Sequence, residues 1–182
     1  MKKTLLAIIL GGGVLVATNA SASNSGTINF SGKVTSATCN IAPEVNGASV
    51  TSIVLGTATL TSEPTAVNFK LKPAAGSTDC LSKRKAQVEW SGSMNGSGYN
   101  NTATGASAAN GFYMTLRATN SGSGSAGANI NSSFTRVDYN HNAGIASFDY
   151  TAQLRKSNST PTNGGYKAGL FTTAASFSVT YM

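Results

Sequence analysis

The chain has 182 residues, of which 13 are Lys or Arg, six are Asp or Glu and one is His, a formal net charge of +7 with only 10% of positions charged. So dilute a charge, with no dense basic helix and no aromatic residues interleaved with cations, argues against nucleic-acid binding and leaves at most a mild attraction to acidic cell-surface glycans. Gly, Ser, Thr, Asn and Ala are abundant, and the long Leu/Glu/Lys patterns of helical proteins are absent.

Residues 1–22 read as an export signal. Lys2 and Lys3 form the charged start, Leu5 to Val16 an apolar run broken by Gly11, Gly12 and Gly13, and Ala20-Ser21-Ala22 an A-x-A cleavage site. The run is too short to span a bilayer, and no second long apolar stretch follows it, which argues against a membrane anchor. Cleavage after Ala22 leaves 160 of the 182 residues, beginning at Ser23, enough for one domain with a real core. It also removes two cations, lowering the net charge from +7 to +5.

In the remaining chain, short apolar alternations recur. Ile28, Phe30 and Val34 alternate with Asn29, Ser31 and Lys33, predicting a first strand. Cys39 and Cys80 are the two cysteines, and in an exported chain they most simply pair with each other. A bridge closing so long a loop contributes at most about 4 kcal/mol by chain entropy. Val50 to Leu55 reads as a mostly buried strand closed by Gly56. Val67, Phe69 and Leu71 alternate with Asn68, Lys70 and Lys72 up to Pro73, and Gln87 to Trp90 forms another short strand ending at Ser91-Gly92. Phe112 to Ala118 is a strand with Met114 and Leu116 on one face, and Ile130 to Tyr139 holds one or two more, anchored by Phe134 and Val137. Phe148, Tyr150, Ala152 and Leu154 alternate with Asp149, Thr151 and Gln153. Segments 91–110 and 120–133 read as surface loops, and the prolines at 43, 64, 73 and 161 are expected between strands. The chain closes on Gly169 to Met182, where Phe177, Val179 and Tyr181 alternate with Ser178 and Thr180: a half-buried strand running to the end. Many short strands separated by turn signals predict an all-β fold, an antiparallel sandwich without internal repeat or second domain.

Several of these stretches, taken in order, resemble the subunits (pilins) of fimbriae assembled by the chaperone–usher pathway. Gly26-Thr27-Ile28-Asn29-Phe30-Ser31-Gly32-Lys33-Val34 leading to Cys39 is similar to their opening. Val54-Leu55-Gly56, Phe69-Lys70-Leu71 and Cys80 follow, and Phe148, Tyr150 and Ala152, then Gly169 and the next-to-last Tyr181, match the close. Within that family, Trp90-Ser91-Gly92-Ser93-Met94-Asn95, Met114-Thr115-Leu116-Arg117-Ala118-Thr119-Asn120 and Asn163-Gly164-Gly165-Tyr166-Lys167-Ala168-Gly169 resemble the Fan-type fimbrial subunit of enterotoxigenic bacteria. The resemblance implies an incomplete immunoglobulin-like β-sandwich over 35–182, lacking its last strand, and a structural role in an adhesive surface fimbria outside the cell. It implies a periplasmic chaperone that lends a strand beside Gly169, Phe171, Phe177, Val179 and Tyr181, an outer-membrane usher, and a neighbouring subunit that later donates its own N-terminal segment. By the same resemblance the candidate donor segment is 23–34, with Asn24, Gly26, Ile28, Phe30 and Gly32 as its expected inward set and Gly26 as the candidate for the tight point. Burial of Ile28 and Phe30 contributes about 3–6 kcal/mol before ordering costs. The other reading of the same residues is an ordinary first strand within their own domain. A minor or adaptor subunit of the fibre fits the same features as a shaft subunit.

Chemistry finds little to work with. A Ser-His-Asp arrangement would have to use His141, which sits in the polar stretch Asn140-His141-Asn142 and reads as a solvated loop residue; no enzyme, metal or cofactor is expected. In the Fan-type subunit, a basic cluster at the place of Arg155 and Lys156 is associated with a sialylated glycolipid receptor. This chain keeps those two cations and has Ser159 where the cluster continues with arginine. A guanidinium and an ammonium suit the carboxylate of sialic acid. The alternative is that Arg155 and Lys156 are solvated edge-strand charges that block wrong pairing. Lys83-Arg84-Lys85 reads as a solvated turn.

Overall fold

Period-two alternation dominates the chain, and in the computed structural model it becomes two facing sheets. The structure describes residues 26–34, 39–74, 77–122, 126–161 and 164–182. In chain order the strands are β1 (Gly26–Val34), β2 (Ile41–Val45), β3 (Ala48–Ser49), β4 (Ser52–Val54) and β5 (Val67–Pro73). One helical turn, α1 (Thr78–Leu81), precedes β6 (Lys85–Gly92), β7 (Tyr99–Asn100), β8 (Phe112–Ala118), β9 (Asn129–Ile130), β10 (Arg136–Asn140), β11 (Phe148–Lys156) and β12 (Phe171–Tyr181). The first sheet runs β10-β6-β12-β1-β4, and the second β3-β2-β5-β11-β8-β7, with β9 also on β8. This is the predicted immunoglobulin-like sandwich.

The core lies between the sheets. Trp90 of β6, Tyr139 of β10 and Phe177 of β12 enter it from the first sheet, and Phe69 of β5 with Phe148 and Tyr150 of β11 from the second. Their rings interlock. Trp90 meets Tyr150 edge-on at 5.0 Å, Phe69 stacks on Tyr150 at 5.5 Å, and Tyr139 meets Phe148 edge-on at 4.7 Å. Such pairs add about 0.5–1.5 kcal/mol each beyond their buried area. The Cys39–Cys80 disulfide forms across this core's edge, with Cα atoms 6.0 Å apart. It ties the lead-in of β2 to α1, where Ile41 already pairs with Pro73.

Four expectations are corrected. First, β2 and β3 form a hairpin that the alternation does not announce; its turn is Asn46-Gly47, both left-handed at φ 50° and 85°. Second, not all prolines lie between strands: Pro43 is inside β2 and Pro73 ends β5. Pro43 is tolerated because its carbonyl, and hence its missing N–H, faces away from β5, toward the Val50 N–H at 2.9 Å. Third, the stretch Val50 to Leu55 narrows to β4, with Ile53 and Leu55 buried and Val54 61% exposed. Fourth, the Gly/Ser-rich segments hold β7 and β9, which bring Tyr99 and Ile130 into the core.

Candidate functional site

The terminal strand β12 buries Phe171, Thr173, Ala175, Phe177 and Val179 on one face, as the alternation predicts, with Tyr181 partly buried against the same core. Burial raises the Tyr181 phenol to about 12. Gly169, expected to matter for this strand, lies just before it. A Cβ there would fall 2.3 Å from the Ser107 carbonyl oxygen, so the chain enters β12 through a backbone contact only glycine permits. Leu170 N–H donates to Ser107 O at 2.7 Å and Ala109 N–H to Leu170 O at 2.9 Å, fixing that contact.

One side of β12 pairs with β6; the other side pairs with β1. The described part of the candidate donor segment, Gly26–Val34, therefore lies in its own chain's sheet, the place given by the own-domain reading. Its direction is distinctive, because β1 runs parallel to β12 whereas the other strand pairs among the described residues are antiparallel. The register matches Gly26 with Phe171, Ile28 with Thr173, Phe30 with Ala175 and Gly32 with Phe177. Gly26, Ile28, Phe30 and Gly32 of the expected set thus stand opposite buried residues of β12, while Ser23, Asn24 and Ser25 lie outside the described residues. On its other edge β1 pairs with β4, Ile28 opposite Ile53, and β4 has no other strand partner among the described residues. β1 thus lies between β12 and β4 in the sheet.

Arg155 and Lys156 end β11, and the structure explains why charges stand there. β11 pairs with β8 through Lys156, but with β5 only as far as Ala152. Beyond Ala152 its β5-side edge is covered by the loop of residues 55–66. Arg155 Nε is 2.9 Å from Glu63 Oε2, and the Lys156 amide donates to Glu63 Oε1 at 2.9 Å. Lys156 Nζ donates to the Leu60 carbonyl at 2.8 Å and sits 4.3 Å from the centre of the Tyr166 ring. Gln153 Nε2 donates to the Pro64 carbonyl at 2.9 Å. β11 lies between β5 and β8 and is not an edge strand, and the two cations are engaged by the chain itself instead of being simply solvated. Glu63 and Leu60 escaped the sequence reading because their partner Lys156 is distant in sequence, 93 and 96 residues away.

Lys83, Arg84 and Lys85 are exposed, but Lys85 already begins β6 instead of lying in a turn. His141 differs from expectation: it is half-buried, its ring stacked 6.3 Å from that of Tyr139. Among the described residues no group of His, Cys, Asp and Glu is arranged to hold a metal ion. No described helix is long and apolar enough to cross a membrane.

No family model matches the chain. Over 182 residues, the whole of both chains, it is 64% identical to the K99 fimbrial protein of Escherichia coli. Over 159 residues, 86% of each chain, it is 30% identical to the F107 fimbrial protein of Escherichia coli.

Proposed function

The chain belongs to the K99-type fimbrial subunits, and we propose that it polymerises by exchanging the segment 23–34 between neighbouring copies. It is a structural protein of a surface fimbria that assembles with other fimbrial subunits, and it is not an enzyme. The observation that carries the exchange reading is the dependence of two strands on a third: β12 and β4 meet only through β1. Removing β1 would leave β12 with an unpaired edge and expose the apolar floor lined by Phe171, Ala175, Phe177, Val179 and Ile53. Such an edge demands a strand from elsewhere, and the same segment of another copy has the same length and the same apolar alternation. Before assembly, a periplasmic chaperone strand would fill the same groove beside Phe177, Val179 and Tyr181, and an outer-membrane usher would then bring the next subunit to it.

The test compares three proteins: the mature chain, the chain lacking 23–34, and the latter with 23–34 appended after Met182 through a short flexible linker. Deletion should give an aggregation-prone protein with a large loss of melting temperature, and the appended segment should restore both properties. The appended segment must approach β12 antiparallel, as an incoming strand can, so recovery would show that the groove accepts a strand independent of its native connection. Equal stability of all three proteins would sink the exchange reading.

Contact of Arg155 and Lys156 with a sialylated glycan is the second reading. A ligand carboxylate at Arg155 would have to replace Glu63, which already lies against the guanidinium. Replacing Glu63 with Ala should then strengthen retention on sialylated glycolipid; unchanged or weaker retention removes this mode of capture.

A further inference from the structure

We propose that Glu63, Arg155 and Lys156 form a clasp that sets the position of β4, and with it the far wall of the strand-accepting groove. The inference rests on the reading that this groove receives a strand. β4 is three residues long and has β1 as its strand partner among the described residues, so it cannot hold its own place by sheet pairing. It is held from its two ends. On the N-terminal side the Val50 amide is fixed to Pro43 of β2. On the C-terminal side, Leu55 and Ala58 are buried and the chain then crosses to the end of β11.

That crossing is stiff. Thr59 N–H donates to the Ser62 carbonyl at 2.8 Å, and Ser62 N–H to Thr59 Oγ1 at 2.9 Å, closing a tight turn. Glu63 follows directly and uses its two oxygens separately, one on the Lys156 amide and one beside the Arg155 guanidinium. The carboxylate thus supplies the acceptor that β5 would have provided had it run four residues further, and the cation beside it holds it there. Leu60 and Pro64, on either side, are tied to Lys156 and Gln153 through their carbonyls. The whole segment that carries β4 back to the second sheet is thereby fixed along one edge of β11. In this arrangement Arg155 and Lys156 are positioning residues: they determine whether the wall of the groove stands where β1, or a strand from another copy, can pair with it.

Hydrogen–deuterium exchange on the intact mature chain tests this, comparing wild type, E63A, R155A, R155K and the E63A/R155A double variant. The clasp predicts that E63A speeds exchange of the amides of 52–54 and 26–34 by about tenfold while those of β6 and β10 stay unchanged. R155A should act in the same place, R155K should remain close to wild type, and the double variant should exchange like E63A, because both changes break one coupled unit. Unchanged exchange at 52–54 and 26–34 in E63A overturns the clasp, as does a uniform acceleration that includes β6 and β10. Fibre formation by the same variants is followed separately. Local loosening of β1 and β4 together with unaltered fibre assembly would leave the clasp standing and remove the exchange reading on which it was placed.

Discussion

At the residue scale, two features give stability a measurable signature. Gly169 touches the backbone of Ser107, Ala108 and Ala109, not a side chain that could swing aside. Gly169→Ala should therefore displace the entry to β12 and cost about 1–3 kcal/mol, the usual range for overpacking. A denaturant midpoint equal to wild type would show that this contact gives way freely. The second feature is the buried tyrosines. Burial pushes the phenols of Tyr139, Tyr99 and Tyr150 well above their ordinary value, because the phenolate would lose its water. A raised folded-state pKa means that unfolding releases protons once the unfolded phenols ionise. The stability these groups contribute is therefore complete below pH about 10 and is lost as pH climbs from there toward the folded values. The limiting slope is about 1.4 kcal/mol per pH unit for each tyrosine. Denaturation curves should show a plateau at neutral pH and a steep decline above 10. Tyr139→Phe should flatten that decline by about one tyrosine's worth. A slope identical to wild type would mean that Tyr139 ionises in the folded protein.

At the scale of elements, legibility follows from whether a strand shows one face to the core. β5, β8, β11 and β12 were readable because each alternates buried and exposed positions, or nearly so, and β6 showed through its Val88 and Trp90. β2 was not, since beyond Ile41 its residues are all half-buried and the pattern has no period; the Asn46-Gly47 turn was the available signal. β7 and β9 are two residues each, too short to show any period. The alternation in Gly26–Val34 announced a strand but could not announce a direction, because a parallel and an antiparallel neighbour ask for the same period. Arg155 and Lys156 were visible as two adjacent cations, but their partner Glu63 became apparent only when the fold brought the loop of residues 55–66 alongside the part of β11 that outruns β5.

At the scale of the whole molecule, the placement of β1 sets how such a subunit can assemble. A chain whose own β1 fills the groove is closed, with no apolar floor exposed to drive aggregation. To accept a strand from another copy it must first release its own, breaking the pairing of nine residues with β12 and of three with β4. The segment leaves a parallel partnership with β12 and an antiparallel one with β4, so a strand entering in the reverse direction would gain along the nine-residue pairing and lose along the three-residue one. On the proposed reading, exchange is gated by a unimolecular opening. The prediction is kinetic: when the mature chain is mixed with a labelled peptide of residues 23–34, the rate of incorporation should rise with peptide concentration and then saturate at the opening rate. Variants that loosen β1, E63A among them, should raise that ceiling and steepen the initial rise with it, since both scale with the opening rate. A rate that stays linear in peptide up to the highest concentrations, with no ceiling, would mean that the groove already stands open in solution, and β1 would then not gate assembly.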